Sequence, residues 1–200
     1  NLTDLIMKKS ITFVALLLVA TLGSVSMAQN AQTTKTRKEL RDEKRAQYKA
    51  EEKLMNELDY HNALVALQNQ QFVVEADQLN LRNGATVFVN SGTNFLMVNK
   101  DRGTVQVAFN TALSGPNGIG GVTVDGNISG MKTETDKDGN IHCSFGIQGV
   151  GISAEVFVTL YHGSNEANVT VSPNFNSNTL SLSGEMVSID DSTIFKGYAY

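Results

Sequence analysis

The stretch Leu64-Val65-Ala66-Leu67-Gln68-Asn69-Gln70-Gln71-Phe72-Val73-Val74-Glu75-Ala76-Asp77 decides the fold. Up to Leu67 the apolar residues recur at helical spacing, and from Phe72 they alternate, Phe72, Val74 and Ala76 against Val73, Glu75 and Asp77. A 3.6-residue period puts apolar groups on one stripe of a helix, whereas a two-residue period puts them on one face of a strand. Upstream, Thr36 to Gln70 holds no proline or glycine and reads as one helix. Leu54, Leu58, His61 and Val65 form its stripe, widened by Tyr60, Ala63, Leu64 and Leu67. The second half is therefore expected to dock on a core. The first half, mostly charged, is expected to project or fray for want of apolar surface.

Downstream the alternation continues almost to the end. Strands are expected near 85–90, 94–99, 104–109, 121–129, 131–136, 140–148, 152–162, 166–172 and 179–189, with Asn83-Gly84, Ser91-Gly92, Asp101-Arg102-Gly103, Asp138-Gly139 and His162-Gly163-Ser164-Asn165 at turns. No helical crossover follows residue 71, which excludes a doubly wound parallel sheet. The expected fold is α+β and mainly antiparallel β. A long N-terminal helix packs on a curved antiparallel sheet or partial barrel of about eight or nine strands, with ring closure left open.

Three strand segments carry a family likeness: Phe72-Val73-Val74-Glu75-Ala76-Asp77, Asn94-Phe95-Leu96-Met97-Val98-Asn99 and Thr104-Val105-Gln106-Val107-Ala108-Phe109. Following a charged helix, they resemble the secreted bacterial family called domain of unknown function 4251, over about Glu51 to Gly197. The resemblance implies an exported, β-rich protein of Gram-negative bacteria with no assigned role. It brings no catalytic residues to transfer.

The N-terminal residues agree with export. Lys8 and Lys9 precede an apolar run from Ile11 to Leu22, and Ser26-Met27-Ala28 is a small-x-small cleavage pattern. Met7 reads as the initiator. Gly23 and Ser24 end the run short of a membrane span, and Gln29 stands where a lipoprotein needs cysteine. The expected organisation is upstream residues and cleaved signal over 1–28, a flexible leader and charged helical arm over 29–50, and a single β-rich domain with its docking helix over 51–200. The expected location is periplasmic or secreted, soluble after cleavage at Ala28, with no membrane anchor.

Charge is uneven along the chain. Lys35 to Lys53 holds eight basic and five acidic residues, and Leu54 onward holds six basic and fourteen acidic. The basic segment is interleaved with acids at helical i,i+4 spacing, so it reads as a solvated helix face and not as a nucleic-acid surface. Cys143 is the single cysteine, which excludes an internal disulfide, zinc knuckles and iron–sulfur clusters.

Candidate chemistry is thin. His142 and Cys143 are neighbours on a strand, point to opposite faces and cannot form a dyad; Cys143 shares its face with Ile141, Phe145 and Ile147 and reads as a buried, inert thiol. His61, His142 and His162 lack the close spacing of a metal pair, and no metal or cofactor is expected. Asp136-Lys137-Asp138-Gly139-Asn140 lacks the ligand set of a calcium loop and reads as a hairpin turn. Glu75 and Asp77 share a strand face and read as solvated. The glycine-rich segment Thr111 to Gly121 lacks the lysine and following helix of a phosphate loop.

Strands apolar on both faces are the least ordinary feature. Phe157 and Tyr161 oppose Val156, Val158 and Leu160; Phe88 opposes Val87 and Val89; Leu96 opposes Phe95 and Met97. Phe157, Tyr161, Phe88 and Leu96 are accordingly the candidate ligand-binding residues, lining a concavity for an apolar molecule. The sequence points away from an enzyme and toward a non-enzymatic binding or interaction protein whose partner is a protein or a small apolar ligand. The alternative is a hydrolase of unrecognised type using the glycine-rich segment with His142 or His162.

Overall fold

The computed structural model describes residues 36–80, 84–108, 121–150, 152–174 and 179–199. The signal and leader segments and the glycine-rich segment up to Gly120 lie outside the described residues. The chain divides into two compact units, Asn1–Lys44 and Arg45–Tyr200. In the first, Thr36 opens a helix by a reciprocal cap. Its N–H donates to Glu39 Oε2 (2.7 Å), and Glu39 N–H donates back to Thr36 Oγ1 (3.3 Å).

Helix α1 spans Arg37–Gln68. It ends at Gln70, whose φ of 54° is left-handed and whose carbonyl accepts from Lys100 N–H. Within the second unit its docking face consists of buried Ala63, Ala66 and Leu67, with Tyr60 and Leu64 packed alongside. Of the apolar surface expected to dock, the widening residues Tyr60, Ala63, Leu64 and Leu67 do so, whereas the stripe itself does not. Leu54 and Leu58 are 67% and 52% exposed, and Val65 and His61 also lie open. The residues that dock lie on the other side of the helix, because Ala63 and Ala66 allow the closer approach of backbones.

Nine strands follow: β1 Gln71–Asn80, β2 Thr86–Phe88, β3 Phe95–Asn99, β4 Arg102–Ala108, β5 Gly121–Thr135, β6 Ile141–Gly149, β7 Ile152–Leu160, β8 Glu166–Pro173 and β9 Leu180–Ser188. Each of β3 to β9 pairs antiparallel with the next, and β9 returns to pair with β1, which pairs with β3. Eight strands therefore close into a barrel. The ninth, β2, pairs with the end of β1 beyond the stretch taken by β3. The segments read as separate strands at 121–129 and 131–136 are one strand, β5. Gly130, at φ 66°, absorbs an irregularity between Ser129 and Lys132 without turning the chain.

Alternation fills the interior, as an eight-stranded barrel requires. Ile141, Cys143, Phe145 and Ile147 of β6 face Ala154, Val156, Val158 and Leu160 of β7, all buried in one core with Phe72, Val74, Leu96 and Val98. On the outside, Glu75, Phe95, Gln106 and Thr123 stand side by side across β1, β3, β4 and β5. The chain after β9 crosses this row. Ser192 Oγ and Thr193 N–H donate to Glu75 Oε1, and Gly197 N–H donates to Gln106 Oε1. Among the described residues no helix is long and apolar enough to cross a membrane.

Candidate functional site

The barrel has two distinct ends. The helix side is marked by Tyr60, whose hydroxyl donates to Gly139 O in the β5–β6 turn and whose ring meets His162 of the β7–β8 turn edge-on at 5.2 Å. At the other end a hollow of about 360 Å³ opens between two walls. One wall is the cross-strand pairs Val105–Val124 and Val107–Val122 of β4 and β5; the other is Ala154–Pro173 and Val171–Leu180 of β7, β8 and β9, with Ile152.

The gap between these walls follows from one residue. Along β6 the inward positions run Ile141, Cys143, Phe145, Ile147 and then Gly149, so at the rim this strand contributes no side chain. A Cβ on Gly149 would lie 2.0 Å from Asp125 O, so the close approach of β5 admits only glycine there. The hollow carries no ionisable group among its lining residues. Its single hydroxyl, on Ser153, already accepts from Asn174 Nδ2 at 2.9 Å. Such a lining suits aliphatic surface and offers nothing to a charge.

The helix side holds the most polar constellation. His142 Nε2 lies 3.1 Å from Asp136 Oδ2, and His142 Nδ1 lies 3.0 Å from Thr159 Oγ1. Asp136 also accepts from Asn140 Nδ2, Asn140 N–H and Asp138 N–H, which closes the hairpin turn. The Asn140 side-chain hydrogen bond, helped by His142 and the turn N–H groups, pulls the Asp136 carboxyl down to about 2. A hydroxyl, an imidazole and a carboxylate in a row resemble a nucleophile relay. Here the row lies on the open outer face of β6 and β7. Both strands are paired on each side, so their N–H groups are committed to the ladders and are not available to an oxyanion. Among the described residues no group of three His, Cys, Asp or Glu side chains is placed to hold a metal.

Cys143 is buried, and burial pushes its thiol up. Asp125 is half-buried. Burial alone would raise its carboxyl, but hydrogen bonds from Lys196 and Thr104, with the charges of Lys196 and Arg102, hold it below the usual range. Glu75 departs from the expected solvated face: it is half-buried beneath Ser192 and Thr193, whereas Asp77, beside the irregularity between Ala76 and Gln78, is exposed.

The four residues singled out from the sequence go to separate places. Leu96 is fully buried inside the barrel, Phe157 stands on the outer face of β7, and Phe88 on β2 is exposed. Tyr161 borders a polar hollow with Asp77, Glu166 and Glu185. None of them lines the apolar mouth. Alternation in β4 and β5 marks the mouth valines as inward-facing. Which rim stays open depends on ring closure and on Gly149, and neither has a periodic signal.

Comparison with known proteins places this architecture. A family model described as Domain of unknown function (DUF4251) matches residues 55–186. The chain is also similar to a protein of known crystal structure, a DUF4251 family protein from Bacteroides eggerthii DSM 20697 determined at 1.95 Å. The identity is 59%, over 72% of this chain and 96% of that one, with a TM-score of 0.62. No curated protein sequence matches the chain.

Proposed function

We propose that this chain, which belongs to the DUF4251 family, is an exported, non-enzymatic binding protein that holds a small apolar ligand in the mouth of its barrel. The observation that carries the reading is the uncharged aliphatic hollow between the β4–β5 and β7–β9 walls, about 360 Å³ in volume. Apolar surface moved there from water gains roughly 25 cal/mol per Å². The walls belong to paired strands, so the site is formed before ligand arrives and little ordering opposes binding. Export rests on the basic, apolar and small-x-small pattern of Lys8 to Ala28.

The test is titration with an apolar fluorescent probe, together with mass spectrometry of molecules that co-purify. Val122 is 45% exposed at the rim, so Val122→Glu leaves the fold intact and sets a carboxylate in the hollow. Probe affinity is expected to fall at least tenfold. Unchanged probe binding by Val122→Glu rejects the mouth as the site. The second reading, a hydrolase, draws on the Thr159–His142–Asp136 row. Ester hydrolysis that disappears in His142→Ala would favour it over the first.

A further inference from the structure

We propose that the outer face of β1, β3, β4 and β5 is a groove that reads an extended peptide, and that the segment Ser192 to Gly197 fills it as a built-in competitor. The partner it fits is an extended strand of another protein that carries a serine or threonine and, four residues later, a lysine. The groove lies on the opposite side of the barrel wall from the mouth, since Gln106 and Thr123 alternate with the inward Val105, Val107, Val122 and Val124. Its floor is Phe95, which is fully buried although it stands outside the barrel's core. Glu75 and Gln106 flank Phe95 in register, one on each neighbouring strand.

What the groove holds is mainly the main chain of the segment, at alternate residues as in a strand. Glu75 Oε1 accepts from Thr193 N–H at 2.8 Å, and Gly92 O accepts from Phe195 N–H at 2.7 Å. The Gln106 amide donates to Phe195 O and accepts from Gly197 N–H, both at 2.8 Å. Any polypeptide carries these groups, so this grip does not depend on sequence. Two side chains add a requirement. Ser192 Oγ donates to Glu75 Oε1 at 2.7 Å, and Lys196 Nζ donates to Asp125 Oδ2 at 2.8 Å and to Thr104 Oγ1 at 3.4 Å. The largest side chains of the segment take no part, Phe195 being 62% exposed and Tyr198 83%. A strand that repeats the main-chain bonds and also buries its large side chains therefore replaces the segment, with Phe95 and the Gln106 amide covered again.

Amide hydrogen exchange of the whole native chain reads the release. The Thr193, Phe195 and Gly197 N–H groups are expected to exchange at least a hundredfold faster than the amides of the β1–β9 seam. The probe for the groove is a fluorescein-labelled peptide with the sequence of Asp190 to Tyr200, followed by anisotropy. Thr193→Pro with Gly197→Pro in the full chain removes two of the segment's donors and leaves the groove intact. That variant is expected to bind the peptide at least tenfold more tightly than the native chain does. Adding Asp125→Lys is expected to weaken binding at least tenfold, and a peptide with Lys196→Glu to recover it. Segment amides that exchange as slowly as the seam overturn the proposal by themselves, whether or not the proline variant folds. No tighter binding by the folded proline variant, or failure of the charge reversal to restore affinity, overturns it equally.

Discussion

Gln106 Oε1 accepts a 2.7 Å hydrogen bond from Thr123 Oγ1 on the neighbouring strand, and both side chains are sealed from solvent. The rest of the Gln106 amide is equally occupied. Nε2 donates to Thr93 O and Phe195 O, and Oε1 also accepts from Gly197 N–H. One side chain thus joins β4, β5, the loop before β3 and the chain after β9. Replacing Gln106 by Leu leaves several of these groups buried without partners. A loss of about 2–4 kcal/mol is expected, read by urea unfolding, with faster proteolysis near Phe195. An unchanged protease pattern would show that the tail is held by other means.

The seam between β1 and β9 should be equally intolerant at Gly184. A Cβ there would lie 2.0 Å from Glu75 O. Gly184→Ala is expected to destabilise by about 3 kcal/mol through forced backbone displacement. Gly163→Ala, which meets nothing within 4 Å but has a φ of 83°, should cost only the smaller price of a left-handed alanine, about 1 kcal/mol. Thermal melts of the two variants give the comparison, and equal melting temperatures would contradict it.

Acid sensitivity follows from Asp136. Its folded value of about 2 lies below the ordinary 3.8, so its ionised form is favoured by the fold. That stabilisation is complete above the ordinary value and is lost as pH falls through about 2. Urea unfolding between pH 5 and pH 2 should show the advantage of the native chain over Asp136→Asn shrinking in that window. A difference between the two that stays constant down to pH 2 would remove the assignment.

Cys143, buried with a raised thiol, should resist Ellman's reagent in the native protein at pH 8 and react on unfolding. Cys143→Ala is expected to cost about 1 kcal/mol from lost burial. Rapid native labelling would place the thiol elsewhere.

The two faces of α1 are separable by mutation. Leu67→Ala, in the core at 3% exposure, is expected to cost about 2–4 kcal/mol. Leu58→Ala, at an exposed position, should stay within about 0.5 kcal/mol.

The change of period at Gln71, the antiparallel meander and the inward set Ile141, Cys143, Phe145 and Ile147 were all legible in the sequence, because local periodicity records which side chains meet the core. The docking face of α1 was legible only in part: Tyr60, Ala63, Leu64 and Leu67 belonged to the expected surface, but the stripe at its centre did not dock. Leu54 and Leu58 look more like core than Ala63 and Ala66 do, yet helix packing selects small residues at close contact, and composition alone cannot show which stripe faces inward. Gly130 resembled a turn because positive φ serves hairpins and bulges alike. The crossing of the outer row by Ser192 to Gly197 has no periodic trace, since those contacts run through Gln106, Glu75 and Asp125 to a segment distant in sequence. The apolar mouth was hidden for a similar reason. Its walls come from five strands, and no single one of them announces a cavity.

Closure of the ring by β1 and β9 sets an order on folding. Asn80 Nδ2 donates to Ser183 Oγ across 103 positions of sequence, and every rung of that seam joins the first strand to the last. Neighbouring hairpins can pair as soon as they are synthesised, but the seam waits for the C-terminus, and such long-range pairing is the slow step in β proteins. A nascent chain halted before Leu180 therefore has two unprotected edges where the finished molecule has a joined ring, and premature termination there costs the closure itself, not merely one strand.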